Sequence, residues 1–146
     1  MKRTLAAGAA MVGAVVAGLA LTGAPALATP SGPGVSGTIQ WQTTVGDKDY
    51  ILREVTIPPG QATGWHTHPG VLYGVVKKGT LSHFDRDCKS DGVYRTGQSI
   101  VEPAGADKVH IGINKGRTDM VLEVLYVLPH GAPLSVDAPN PGCDFQ

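Results

Sequence analysis

The chain has 146 residues, twelve basic and twelve acidic, hence no formal net charge, with 20 glycines, 11 prolines and two cysteines. That length suits one domain around one core. The balanced charge, with no basic stripe or aromatic-basic cluster, speaks against a nucleic-acid partner and leaves a small molecule or another protein.

Residues 1–28 read as an export signal. Lys2 and Arg3 form a short basic start, no further charge occurs until Asp47 and Lys48, residues 5–21 are apolar, and Ala26-Leu27-Ala28 is a small-x-small cleavage site. An uncleaved membrane anchor is the competing reading, because the apolar stretch nearly reaches spanning length. The order of basic start, apolar stretch and cleavage site favours removal. The expected product is secreted from a bacterial cell, slightly acidic and free of the membrane.

Residues 29–46 read as a flexible segment, opening with Pro30, Pro33 and three glycines by Gly37. Residues 47–131 then alternate short apolar runs with turn residues. In residues 49–57, Ile51, Val55 and Ile57 share one face, while Tyr50, Leu52, Glu54 and Thr56 share the other. Arg53 interrupts the apolar face, and Pro58-Pro59-Gly60 ends the strand.

His66 and His68 follow. On a strand, residues two apart point to the same side, so these two imidazoles stand together. Neutral imidazole is the commonest metal ligand in proteins. With His110 from a distant strand, the pair makes a site for one divalent transition metal with open coordination positions. The donor type suits Fe, Mn, Ni, Cu or Zn alike.

Further strands are expected at residues 71–76, 80–84, 99–101, 108–114 and 120–128, with turns at Lys77-Lys78-Gly79 and Ser90-Asp91-Gly92. No long stretch beyond the signal has a helical period. Many short strands at turn spacing predict an all-β sandwich or barrel, and closure into a barrel or jelly roll would also remove exposed sheet edges. Cys88 and Cys143 are an even pair in the exported part and read as a disulfide tying the tail, residues 132–146, to the loop around Cys88. By the chain-entropy model such a closure contributes up to about 4 kcal/mol.

Two spacings come together around the histidines. One runs Gly60, His66-Thr67-His68, Leu72, Gly79; the other runs Gly97, Pro103, Gly105, His110, Asn114. Together they resemble the two motifs of the cupin superfamily, small jelly-roll β-barrels. The resemblance implies a single-domain barrel in which His66, His68 and His110 hold a metal at the barrel mouth. It also implies glycines 60, 79, 97 and 105 at tight turns and, commonly, pairing of barrels into a homodimer. The sequence departs from the pattern twice. The stretch between Gly105 and His110 is two residues longer than usual, and the position of the family's glutamate ligand holds Leu72. The reading expects that position to stay apolar, with water or substrate completing the shell around a doubly charged centre; Tyr73 and Glu102 are the alternative donors. His83 and His130 match no motif position and default to surface or loop sites. Trp65 and Tyr126 are expected in the barrel or at its mouth.

For function the resemblance implies two classes. One is an oxygen-using metallo-oxidoreductase similar to cupin dioxygenases, acting on a small molecule. The other is a non-catalytic metal or small-ligand binding module. No close carboxylate pair, Ser/His/Asp arrangement or nucleophile elbow is present to support hydrolysis.

Overall fold

The computed structural model describes residues 28–146, so the segment read as an export signal lies, but for Ala28, outside the described residues. Ten strands follow in order: β1 (Ser36–Val45), β2 (Lys48–Ile57), β3 (His66–Thr67), β4 (Val71–Lys78), β5 (Thr80–Asp85), β6 (Ser90–Arg95), β7 (Ser99–Glu102), β8 (His110–Ile113), β9 (Met120–Pro129) and β10 (Val136–Asp137). They form two five-stranded antiparallel sheets, ordered β1-β2-β9-β4-β7 and β10-β3-β8-β5-β6. This is the all-β, jelly-roll-like single domain that the strand pattern predicts. Among the described residues no helix is long and apolar enough to cross a membrane.

β9 shows why the sheets face each other. Met120, Leu122, Val124, Tyr126 and Leu128 are buried, while the residues between them are half-exposed. That is the period of two by which a strand sends alternate side chains to opposite faces. These inward residues join Ile57, Leu72, Val76, Leu81 and Ile100 in one core, to which both sheets contribute. A second cluster, Ala62, Trp65, Ile111, Ile113 and Ala138, lies by the second sheet and packs against Phe84 and Phe145.

Three local expectations are corrected. Residues 36–45, read as part of a flexible segment, form β1, paired antiparallel with β2 from Ser36↔Thr56 to Val45↔Lys48 with a one-residue register shift between Ile39 and Trp41. Every residue of β1 is exposed, so no buried period marks it in the sequence. Ser90-Asp91-Gly92, read as a turn, begins β6 against β5. The reversal lies just upstream, where the Asp85 carboxylate accepts hydrogen bonds from the Asp87 and Lys89 amides and Cys88 adopts φ 63°. The C-terminal tail contributes a strand, β10, which pairs with β3.

Cys88 and Cys143 are joined in a disulfide, with Cα atoms 5.5 Å apart. Glycines 60, 79, 97 and 105 all have positive φ. At Gly79 a Cβ would also meet the Asp119 carbonyl oxygen at 3.0 Å, so both backbone conformation and space require glycine there.

Candidate metal centre

The short β3 brings His66 directly opposite His110 on β8. His68 lies just beyond β3, and the three rings gather with centroids 4.4 to 5.1 Å apart. The histidines expected to converge therefore do so. The carboxylate expected to be missing is also present. Leu72 on β4 pairs across the ladder with Glu102 on β7, and both side chains are buried. Cross-strand partners share a face, so the neighbouring strand supplies what the motif position lacks. One donor atom from each of His66, His68, His110 and Glu102 lies within 4.8 Å of the others, a group that could hold a metal ion. The reading of an apolar fourth position is thus corrected. A divalent ion among these donors would carry a net charge of +1 rather than +2.

The hydrogen bonds around the cluster test whether it suits a cation. His66 Nδ1 lies 2.8 Å from the Gly64 carbonyl oxygen, His68 Nδ1 2.7 Å from that of Leu134, and His110 Nδ1 2.8 Å from that of Lys108. A carbonyl only accepts, so each Nδ1 must carry the proton and donate it. In the neutral tautomer each Nε2 then keeps a bare lone pair, the arrangement typical of metal-ligating histidine. Nε2 of His68 and of His110 are buried without a hydrogen-bond partner. They face Glu102 Oε2 at 3.1 and 3.5 Å. Lone pairs directed at a carboxylate repel it unless a cation lies between them. The donor set fits a metal.

The electrostatics agree. Burial, followed by the neighbouring His110 and His68, lowers the His66 imidazole to about 3. It is therefore neutral at physiological pH and can ligate without first losing a proton. Burial alone would raise the Glu102 carboxyl, but in the metal-free protein hydrogen bonding from the facing His110, His68 and His83 rings outweighs it and holds the group well below the usual carboxylate range, a role that a cation between the lone pairs and the carboxylate would take over. Glu102 is ionised.

His83 is the residue the sequence misplaced. It is buried, at 4% exposure. Its Nδ1 lies 2.6 Å from Asp91 Oδ1, and its Nε2 faces the second Glu102 oxygen, Oε1, at 3.5 Å. Burial pushes this imidazole down, but the two carboxylates prevail and raise it to about 9. An Asp91–His83–Glu102 line thus runs from the surface to the centre. Residues 81–83 are all buried, so no alternation singled His83 out. His130 is exposed as expected and pairs with Asp49 at 2.9 Å. Trp65 is fully buried, with its ring 6.0 Å from Phe145, and Tyr126 is buried with its ring 5.9 Å from His68.

A cavity of about 220 Å³ opens on the cluster, lined among others by His66, His68, Glu102, Leu72, Tyr126 and Arg53. Fold and site together define a small double-sheet β-barrel with a three-histidine, one-carboxylate cluster inside it. The cupin-domain family matches residues 53–128, just over half of the chain, and the chain belongs to that family. Among curated proteins none matches the sequence. Among solved structures, a cupin domain from Bordetella pertussis is 26% identical, with a TM-score of 0.52 over 65% of this chain and 94% of that one. A conserved Klebsiella pneumoniae protein with a double-stranded β-helix domain is 21% identical, with a TM-score of 0.56 over 75% and 88%. The polyketide cyclase RemF from Streptomyces resistomycificus is 17% identical, with a TM-score of 0.60 over 80% and 84%. The last two likenesses speak for the fold alone.

Proposed function

We propose that this chain is a secreted metal-dependent cupin, an oxidoreductase of dioxygenase-like type acting on a small molecule. In this reading His66, His68, His110 and Glu102 hold one divalent transition metal ion. The observation that carries it is the convergence of unpartnered Nε2 atoms on an ionised carboxylate, with the Nδ1 atoms engaged by backbone carbonyls. When bound, such an ion supplies Lewis acidity and, if redox-active, a path for electrons.

The chain's own residues supply the rest. Glu102 reduces the charge of the centre, and the carbonyls of Gly64, Lys108 and Leu134 fix the three rings. Leu72, Leu81, Leu122 and Val124 line the cavity and exclude water from one side. Thr63 Oγ1 lies 3.5 Å from His66 Nδ1, but that nitrogen is already engaged by the Gly64 carbonyl and is not placed as a base for the hydroxyl, which favours metal-centred redox chemistry over hydrolysis. The disulfide suggests a non-cytoplasmic setting, and export through residues 1–28 is the route that fits it.

Elemental analysis of residues 29–146, expressed without a histidine tag, tests the centre. One equivalent of transition metal is expected, and His66→Ala should abolish it; a metal-free protein under metal-replete conditions would sink the reading. Oxygen uptake with small enolic or catecholic compounds then tests the reaction. Full metal loading with no turnover of any such compound would leave a non-catalytic binding module.

A further inference from the structure

Arg53 interrupts the inward face of β2, and the site as described makes no use of it. It pairs in register with Val124 on β9, one step along from the Ile51↔Tyr126 pair. Val124 and Tyr126 both point inward, so Arg53 stands on the cavity side with Tyr126 as its diagonal neighbour. Both line the cavity that holds His66, His68 and Glu102. A tyrosine hydroxyl is both a hydrogen-bond donor and an acceptor, so Tyr126 can donate to an occupant of the cavity.

Two features mark Arg53 as placed for a ligand. Among the described residues it belongs to no ion pair. The neighbouring strand also makes room for it, since a Cβ on Gly37 would land on its Nη2, Cζ and Nε. The guanidinium thus lies against a glycine at the cavity wall, within hydrogen-bond reach of the Tyr126 hydroxyl, so that the two groups are placed side by side for one occupant. Asp137, exposed, is the other charged residue lining the cavity besides Glu102. At about 220 Å³ the space is below the roughly 300–1,000 Å³ of pockets for drug-sized ligands.

We propose that the ligand of this centre is a short organic acid. Its carboxylate is held by Arg53 and Tyr126, and a second oxygen on the same molecule, hydroxyl or keto, faces the four-donor cluster. The inference rests on the metal-centre reading for its second contact only. A guanidinium fork matches a carboxylate in two parallel hydrogen bonds, which neutral isosteres cannot reproduce.

Calorimetric titration of the metal-loaded protein with lactate and pyruvate, and with lactamide and pyruvamide as neutral counterparts, tests it. The acids should bind roughly 10- to 100-fold more tightly than the amides. Arg53→Gln should erase that preference while metal content and melting temperature stay as in wild type. Gly37→Ala, which displaces the guanidinium without removing its charge, should reduce the preference by a smaller factor. Equal binding of acid and amide, no binding of either acid, or an unchanged preference in Arg53→Gln overturns the proposal. Elemental analysis of each preparation separates this failure from that of the centre. If wild type holds no metal, the acid-over-amide preference of the metal-free protein decides the role of Arg53 alone.

Discussion

The four donors of the centre are held in two different ways. His66, His68 and His110 are oriented by backbone carbonyls, each through its Nδ1. Glu102 is oriented by side chains, through His83 and behind it Asp91. Backbone supports persist whatever side chains surround them, so the three rings form a frame set by the fold. The carboxylate is the adjustable member, because its support can be removed by substitutions outside the donor set.

The largest break in this contrast is His110→Ala, which removes part of the frame. Metal affinity measured by competition with a chelator should fall by more than the roughly 10- to 100-fold typical of losing an outer partner. Next is Glu102→Leu, expected to cost about 100-fold in the same measurement. Adding Leu72→Glu on the paired strand position should recover part of it, because the two side chains leave the sheet on one face. No recovery would show that register alone does not place the carboxylate. A smaller effect, about tenfold, is expected of Asp91→Asn, which leaves every donor in place and loosens only the support of Glu102.

The remaining effects are in pH dependence, read in melting temperature, and they have opposite signs at His66 and at His83 in the metal-free protein. The His66 imidazole is lowered to about 3, by burial first and then by His110 and His68. The unfolded chain therefore takes up this proton before the folded one does, and stability falls as pH drops from about 6.5 towards 3. His83 is raised to about 9 by Asp91 and Glu102 in spite of burial. Its contribution is complete below about 6.5 and is lost as pH rises through about 9. Melting temperature against pH should thus decline on both sides, and His83→Gln should flatten the alkaline limb alone. An alkaline limb that survives the substitution would mean that another group carries it.

Much of this arrangement was legible in the sequence. His66, His68 and His110 sit at spacings that carry their own geometry, and the turn glycines and alternating β9 fix the barrel around them. Glu102 was harder to read because cross-strand register is not a sequence spacing: its relation to Leu72 depends on how β4 and β7 align. His83 was hidden by a strand buried at three successive positions, which erases the usual alternation. β1 was hidden for the opposite reason, being exposed along its whole length. Arg53 was visible as an interruption, but only the diagonal neighbour Tyr126 and the adjacent Gly37 give that interruption a purpose.

The two ends of the described chain also meet. Thr29 N donates to the Ala138 carbonyl oxygen at 3.0 Å, and Gln146 Nε2 reaches the Pro30 carbonyl oxygen at 3.2 Å. A short peptide linker could therefore join residue 146 to residue 29, with new ends opened in the exposed Gly46-Asp47 hairpin. Such a circular permutant of residues 29–146 would move the free ends away from β10 and from β3, the strand carrying His66. Metal content equal to that of the parent chain is the expected result, and a loss would show that this edge needs free ends to settle.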